Sequence, residues 1–318
     1  MGRISCRRLK NAAGESVKKG CCNPRKLVAI HTGVMLAISL AVLAIDFLLE
    51  QQIENTGGLS GMGTRSVLTT VQAILRQAQV IALPFWQIGW LYVTVKIARG
   101  EAADKTDLTE GFRRFFPFLR LTILKGVMFF GLALVATYAA SFVVLLTPFA
   151  TPVLEYVANN MQTITEAELM AQMEVLTVPT AIIAVVLSLV AIAPFFYRFR
   201  MAEFIMLDYQ KIRARGAMRV SWRMMRGRMW QMMGLDLSFW WFWLLTILAS
   251  ALGWADVLLP AVGITLPLSA DVCYFAAFLL AALAQLMLHY FAKAKMDVTY
   301  AHAYMELLPK EGNAHESH

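Results

Sequence analysis

Residues Ala214–Phe239, ARGAMRVSWRMMRGRMWQMMGLDLSF, join a basic amphipathic segment directly to an apolar one. At helical spacing Arg215, Arg219, Arg223 and Arg226 form a row, while Met218, Val220, Trp222, Met224, Met225 and Met229 fill a broad arc on the other side. This pattern reads as a helix lying in a membrane surface, its apolar arc among acyl chains and its arginine row towards phosphate head groups. Past Gly227 a continued helix would carry Arg228 into the apolar arc, so the sequence predicts a break there and a turn into the bilayer. Arg215, Arg219, Arg223, Arg226 and Trp222 are the candidate contacts for anionic lipid.

The rest of the chain supports a membrane setting. Hydrophobic residues make up 58% and charged residues 16%, against about 25% charged in soluble domains. Apolar runs recur along nearly all of the 318 residues and leave no hydrophilic block large enough for a core of its own. The expected fold is all-α and polytopic: a basic solvated tail over 1–26, one six-span membrane domain over 27–307, and a polar tail over 308–318. Spans are expected near 27–49, 78–98, 121–146, 177–197, 232–254 and 272–292.

Between the spans, residues 65–77 read as a short surface helix or as an extension of span 2, and Pro84 is expected to bend that span. Asp107 and Glu110 have capping-box spacing and would open a second basic surface helix, bearing Phe112, Phe115, Phe116 and Leu119, ahead of span 3. Span, surface helix, span then occurs twice, the pattern of a weak internal repeat. Ala133, Thr137 and Ser141, and likewise Ala277 and Ala281, lie four residues apart and mark expected helix-packing faces.

Charge sets the expected orientation. With six spans and the N-terminus inside, every Lys and Arg except Arg65 and Arg76 falls on the inner side, a strong positive-inside pattern that an odd span count would destroy. Both termini are therefore expected on the cytoplasmic side of the membrane. The net charge of +8 sits at the ends of apolar spans rather than on a soluble module with stacking aromatics. That points to anionic head groups as partner and away from nucleic acid. The sequence names neither a protein partner nor an oligomeric state.

Phosphate-loop, zinc-protease, nucleophile-elbow and dinucleotide motifs are absent. The four cysteines, Cys6, Cys21, Cys22 and Cys273, have no metal-ligand spacing, and Cys21–Cys22 reads as a reduced pair. The methionine-rich run 224–233 has no thiolate or imidazole beside it and reads as packing filler rather than a copper site. His289, His302, His315 and His318 are expected to be interfacial or solvated. Three acids remain as candidate polar groups in or at the membrane: Asp46 near the outer end of span 1, Glu203 in the basic inner loop, and Asp236 at the mouth of span 5. The simplest expectation for each is an ion pair or a hydrogen bond. No cofactor or metal is expected.

One family resemblance stands on particular residues. Ala217-Met218, Ser221-Trp222, Met224-Met225 and Gly227, followed by Leu235-Asp236-Leu237-Ser238-Phe239, resemble the signature of the bacterial membrane proteins grouped as domain of unknown function 975. Tyr197–Asp208, YRFRMAEFIMLD, resembles that family's stretch just upstream, and Tyr300–Leu307 its closing segment. Two features depart from it: Tyr209-Gln210 stands where a proline turn is expected, and the loop between spans 5 and 6 is longer. The resemblance implies a multi-span bacterial protein and brings no catalytic residue. The leading expectation is a lipid-interacting scaffold or accessory protein without catalysis. The rivals are a transporter of a small or amphiphilic solute and an intramembrane enzyme built on Asp46, Glu203 and Asp236. For topology, a single cysteine at position 166 is expected to react with a membrane-impermeant reagent on intact cells and one at 213 is not; labelling of both contradicts six spans.

Overall fold

The computed structural model describes residues 5–19, 23–55, 62–148, 150–160, 176–209, 211–255 and 270–308, with residues 165, 168, 170 and 174. The Cys21–Cys22 pair, the glycine-rich loop at 56–61, most of the acidic loop over 161–175, the loop at 256–269, and the C-terminal tail with His315 and His318 lie outside the described residues. Among the described residues all regular structure is helical. Five helices are long and apolar enough to cross a membrane, six if one bent pair counts as a single span.

Two compact units divide the chain, residues 1–115 with 230–318 and residues 116–229. The first contains α1 (Cys6–Lys19), α2 (Pro24–Asn55), α3 (Met62–Arg99) and a 3-10 turn (Lys105–Thr109) leading into α4 (Glu110–Arg113). In the second are α5 (Phe115–Leu145), α6 (Thr151–Asn160), α7 (Thr177–Phe199), α8 (Ala202–Asp208) and α9 (Ala214–Met224). The first unit resumes with α10 (Met229–Leu237), α11 (Trp240–Leu252) and α12 (Ala270–Leu288), then a π-helical turn (His289–Lys293) and α13 (Ala294–Leu307).

Local chemistry explains several boundaries. Pro24 begins α2, where its missing N–H costs nothing, and the Asn23 side chain accepts the Lys26 N–H at 3.3 Å. The expected capping box forms one turn earlier: Asp107 reaches back to the Asp104 N–H at 2.7 Å and also pairs with Lys96 at 2.8 Å. Glu110 is thereby released from the cap and pairs instead with Arg113 and Arg114.

Other expectations are corrected. Residues 65–77 are not a separate surface helix; α3 runs unbroken through them and through Pro84. The second surface helix shrinks to α4, because Phe115 onward already belongs to α5. The basic tail is not merely solvated: α1 buries Leu9 and Ala13 and packs against α13. The segment expected as span 5 is two helices, α10 and α11, bent by 61° at the break between them. Lys10 of α1 donates to the Ser238 carbonyl at this bend, 2.7 Å away, and lies over the Phe239 ring at 4.1 Å. A cation at a helix C-terminus satisfies carbonyls that the helix leaves unpaired. Burial lowers the Lys10 pKa below the usual lysine range. On α5 the buried row is Ala136, Ala140 and Val144, whereas Thr137 and Ser141 are turned away and bond their own helix carbonyls. Ala277 and Ala281 are buried, as expected.

Two glycines fix how the segment after α3 folds back on it. A Cβ on Gly89 would lie 1.8 Å from the Leu108 carbonyl oxygen, and one on Gly111 would lie 1.9 Å from that of Phe85. Gly89→Ala is expected to cost about 1–3 kcal/mol through overpacking. Gly131→Ala, facing open space in α5, should be neutral or stabilising by about 0.5–1 kcal/mol. Thermal midpoints of the purified variants decide; an undiminished midpoint for Gly89→Ala contradicts the close approach.

Candidate functional site

The first unit encloses a polar cluster that the sequence reading did not assemble. His31, on α2 two turns after Pro24, is fully buried. Its ring lies between Trp86, parallel at 5.9 Å, and Trp90 at 5.5 Å. Its Nε2 meets the Gln87 Oε1 at 3.1 Å. Its Nδ1 is buried without a hydrogen-bond partner. The Trp86 indole donates to the His31 carbonyl at 3.0 Å, which ties the two helices a second time.

The cluster continues into the C-terminal helix. The Trp90 indole N–H donates to Asp297 at 2.6 Å, and Lys293 pairs with the same carboxylate at 3.1 Å. Thr32 bonds His289 at 3.3 Å, and the His289 ring stacks on Phe242 at 6.0 Å. His289, Lys293 and Asp297 lie four residues apart and enclose the π-helical turn, a distortion that recurs at functional sites. His289 and His302 are therefore not simply solvated; His302 bonds Ser16 of α1 at 2.9 Å. The legible signals were the i,i+4 ladder 289–293–297 and the Trp86-Gln87-Trp90 group facing a lone intramembrane histidine.

The three acids singled out from the sequence each have a different partner. Asp46 pairs with Arg76 at 2.8 Å, with its second oxygen buried and unpartnered. Asp236 accepts from the Tyr300 hydroxyl at 2.6 Å. Glu203, in the other unit, pairs with Lys125 at 2.8 Å. Among the described residues no three His, Cys, Asp or Glu converge as a metal site.

In the second unit, α9 is the basic helix expected from the opening stretch, and the break falls as expected at Gly227, whose φ of +75° a side chain would resist. Its apolar side, however, is not spread among acyl chains. Ala217, Met218 and Ser221 are buried, and α9 packs against α8 and α7. Ser221 donates to the Arg198 carbonyl at 2.7 Å. Trp222 is half-buried with Arg198 over its ring at 4.0 Å and Phe199 beside it at 5.4 Å, which makes it a packing residue of this unit. Met225 is buried as well. The helix thus spends most of its apolar arc, though not Val220, on its own protein and leaves Arg215, Arg219 and Arg223 exposed, with Arg226 exposed in the turn that follows.

Long apolar helices with polar contacts drawn inward define an all-α polytopic membrane protein. The chain belongs to the family described as "Protein of unknown function (DUF975)", whose profile matches residues 10–302. No curated protein and no solved structure gives a significant match.

Trp90→Phe removes the indole donor and keeps the ring. It is expected to lower stability by about 1.5–3 kcal/mol, the range for a hydrogen bond to a charged group. A double-mutant cycle with Asp297→Asn should show coupling of at least about 0.5 kcal/mol; additive effects contradict the contact.

Proposed function

We propose that the protein is a multi-pass component of the bacterial plasma membrane, with both termini cytoplasmic, that binds anionic lipid head groups and serves as a scaffold or accessory factor without catalysis of its own. The observation that carries this reading is the state of α9. Its apolar face packs on α7 and α8, while Arg215, Arg219 and Arg223 along it, and Arg226 in the turn that follows, stand exposed without an ion pair among the described residues. Guanidinium groups held in a row on a docked helix suit phosphate, with contributions of about 1 kcal/mol per basic residue near a membrane surface. The partners supported are membrane lipids, with no nucleic acid. Six spans and inner termini draw on the charge distribution, in which only Arg65 and Arg76 fall on the outer side.

The transporter alternative draws on one observation, the buried His31–Gln87 contact three residues from Pro84. Polar side chains paired within a span recur along transport pathways.

Exchanging Arg219 with Val220 and Arg223 with Met224 keeps the charge count and breaks the row. In full-length protein reconstituted into vesicles, the exchange is expected to weaken the preference for anionic over zwitterionic lipid about fivefold or more, with topology unchanged. An unchanged preference would sink the lipid-binding role of α9.

A further inference from the structure

The arginine row of α9 has a geometry as well as a charge. From 209 to 235 the sequence holds seven Lys or Arg and no Asp or Glu, and in the same unit Glu203 is already taken by Lys125. The charge of this stretch is not balanced within it, so an occupant that fits brings negative charge of its own.

The helix carrying that charge is fixed to one end of a candidate span. Ser221 donates to the Arg198 carbonyl at 2.7 Å, and Trp222 packs on Phe195 at 5.9 Å and on Phe199 at 5.4 Å. These partners lie in the last turns of α7, whose 23 residues rise about 34 Å. The hydrocarbon core is roughly 30 Å thick. A helix held at that end of α7 lies at the depth of the head groups, which makes a lipid the nearest source of anions.

Spacing narrows the occupant further. Arg215, Arg219 and Arg223 follow one another at i,i+4, so successive members stand about 6 Å apart along the axis. Three arginines frame two gaps, and Arg219 borders both. A guanidinium presents a planar fork that grips phosphate oxygens in pairs, so each gap suits one phosphate. Arg226 lies beyond the helix, in the turn closed by Gly227, and helical spacing does not place it. A head group with one phosphate fills one gap. Two phosphates joined through a three-carbon bridge have a separation of the same order and fill both, the second contact being made within a molecule already bound.

We infer that α9 receives a lipid whose head group carries two phosphates, of the cardiolipin class, with Arg219 shared between them. The inference rests on the reading of the α9 row as an anionic-lipid site and names the lipid that the row selects.

The probes are cardiolipin, phosphatidylglycerol and zwitterionic phosphatidylethanolamine, titrated onto detergent-solubilised full-length protein and counted on the intact protein by native mass spectrometry. Compared at equal phosphate, cardiolipin is expected to be retained about fivefold or more over phosphatidylglycerol. Arg219→Gln and Arg226→Gln each remove one exposed charge. The first should abolish the cardiolipin preference, and the second should leave it within about twofold. Arg219→Lys keeps the charge, gives up the fork and should lower the preference at an unchanged thermal midpoint. Equal losses in Arg219→Gln and Arg226→Gln overturn the inference, because charge alone then accounts for binding, as does a preference that survives Arg219→Gln. If cardiolipin and phosphatidylglycerol are retained equally but both above phosphatidylethanolamine, the two-phosphate site fails and the anionic-lipid reading stands. If neither exceeds phosphatidylethanolamine, both fail. Tighter retention of an oligoglutamate than of cardiolipin at equal charge makes an acidic protein the occupant and also overturns the inference.

Discussion

A helix in hydrocarbon must keep its backbone hydrogen bonds to itself and find a partner inside the protein for each polar side chain it carries inward. That constraint accounts for the plan of the first unit. His31 cannot face lipid, so it is closed between Trp86 and Trp90 and bonded to Gln87. Asp297 is likewise met by an indole and an ammonium. Each solution joins two helices, α2 to α3 and α3 to α13, so satisfying the polar groups also sets which helices are neighbours. The bonds of such a cluster gain from the low dielectric around them, and an unmet polar atom, such as the His31 Nδ1, is costly for the same reason.

Close backbone approach completes the arrangement. The segment after α3 lies against that helix at Gly89 and Gly111, and the aromatic rings of Phe85, Phe112 and Phe115 pack beside it. Here the absence of side chains does structural work that no apolar periodicity announces. At the α10–α11 bend the carbonyl left over by the break is met by Lys10 from a helix more than two hundred residues earlier. Basic residues near the N-terminus thus act as structural caps as well as charges.

Much of this was legible in the sequence, and the limits have physical causes. Apolar runs of spanning length are a strong signal, so the all-α polytopic class could be read directly. The break at Gly227 was legible because one glycine followed by one misplaced arginine ends an amphipathic pattern. Helix ends were less so: the 65–77 segment has surface-helix periodicity, yet nothing in it stops a helix before Ala78, and α3 continues through. The wrong face was chosen on α5 because Thr137 and Ser141 look like packing residues, while their hydroxyls are satisfied by carbonyls four residues back and Ala136 and Ala140 take the buried positions. The His31 cluster was missed because its members lie on helices separated by 56 and by more than 200 residues; local spacing marks each polar face but not which distant face it meets.

The central uncertainty in reading a basic amphipathic helix is what covers its apolar side, because a bilayer and a protein surface ask for the same pattern. In α9 the Ser221 bond to Arg198 and the stacking of Trp222 favour protein, which converts the arginine row into a fixed display. Spin labels placed singly along 214–226 and scored for collisions with oxygen, which partitions into lipid, and with a water-soluble relaxer test this most directly. A docked helix predicts protection from both at 217, 218, 221 and 225 and aqueous access at 215, 219, 223 and 226. Strong oxygen collision at 217, 218 and 221 would contradict it, placing the apolar face in the bilayer.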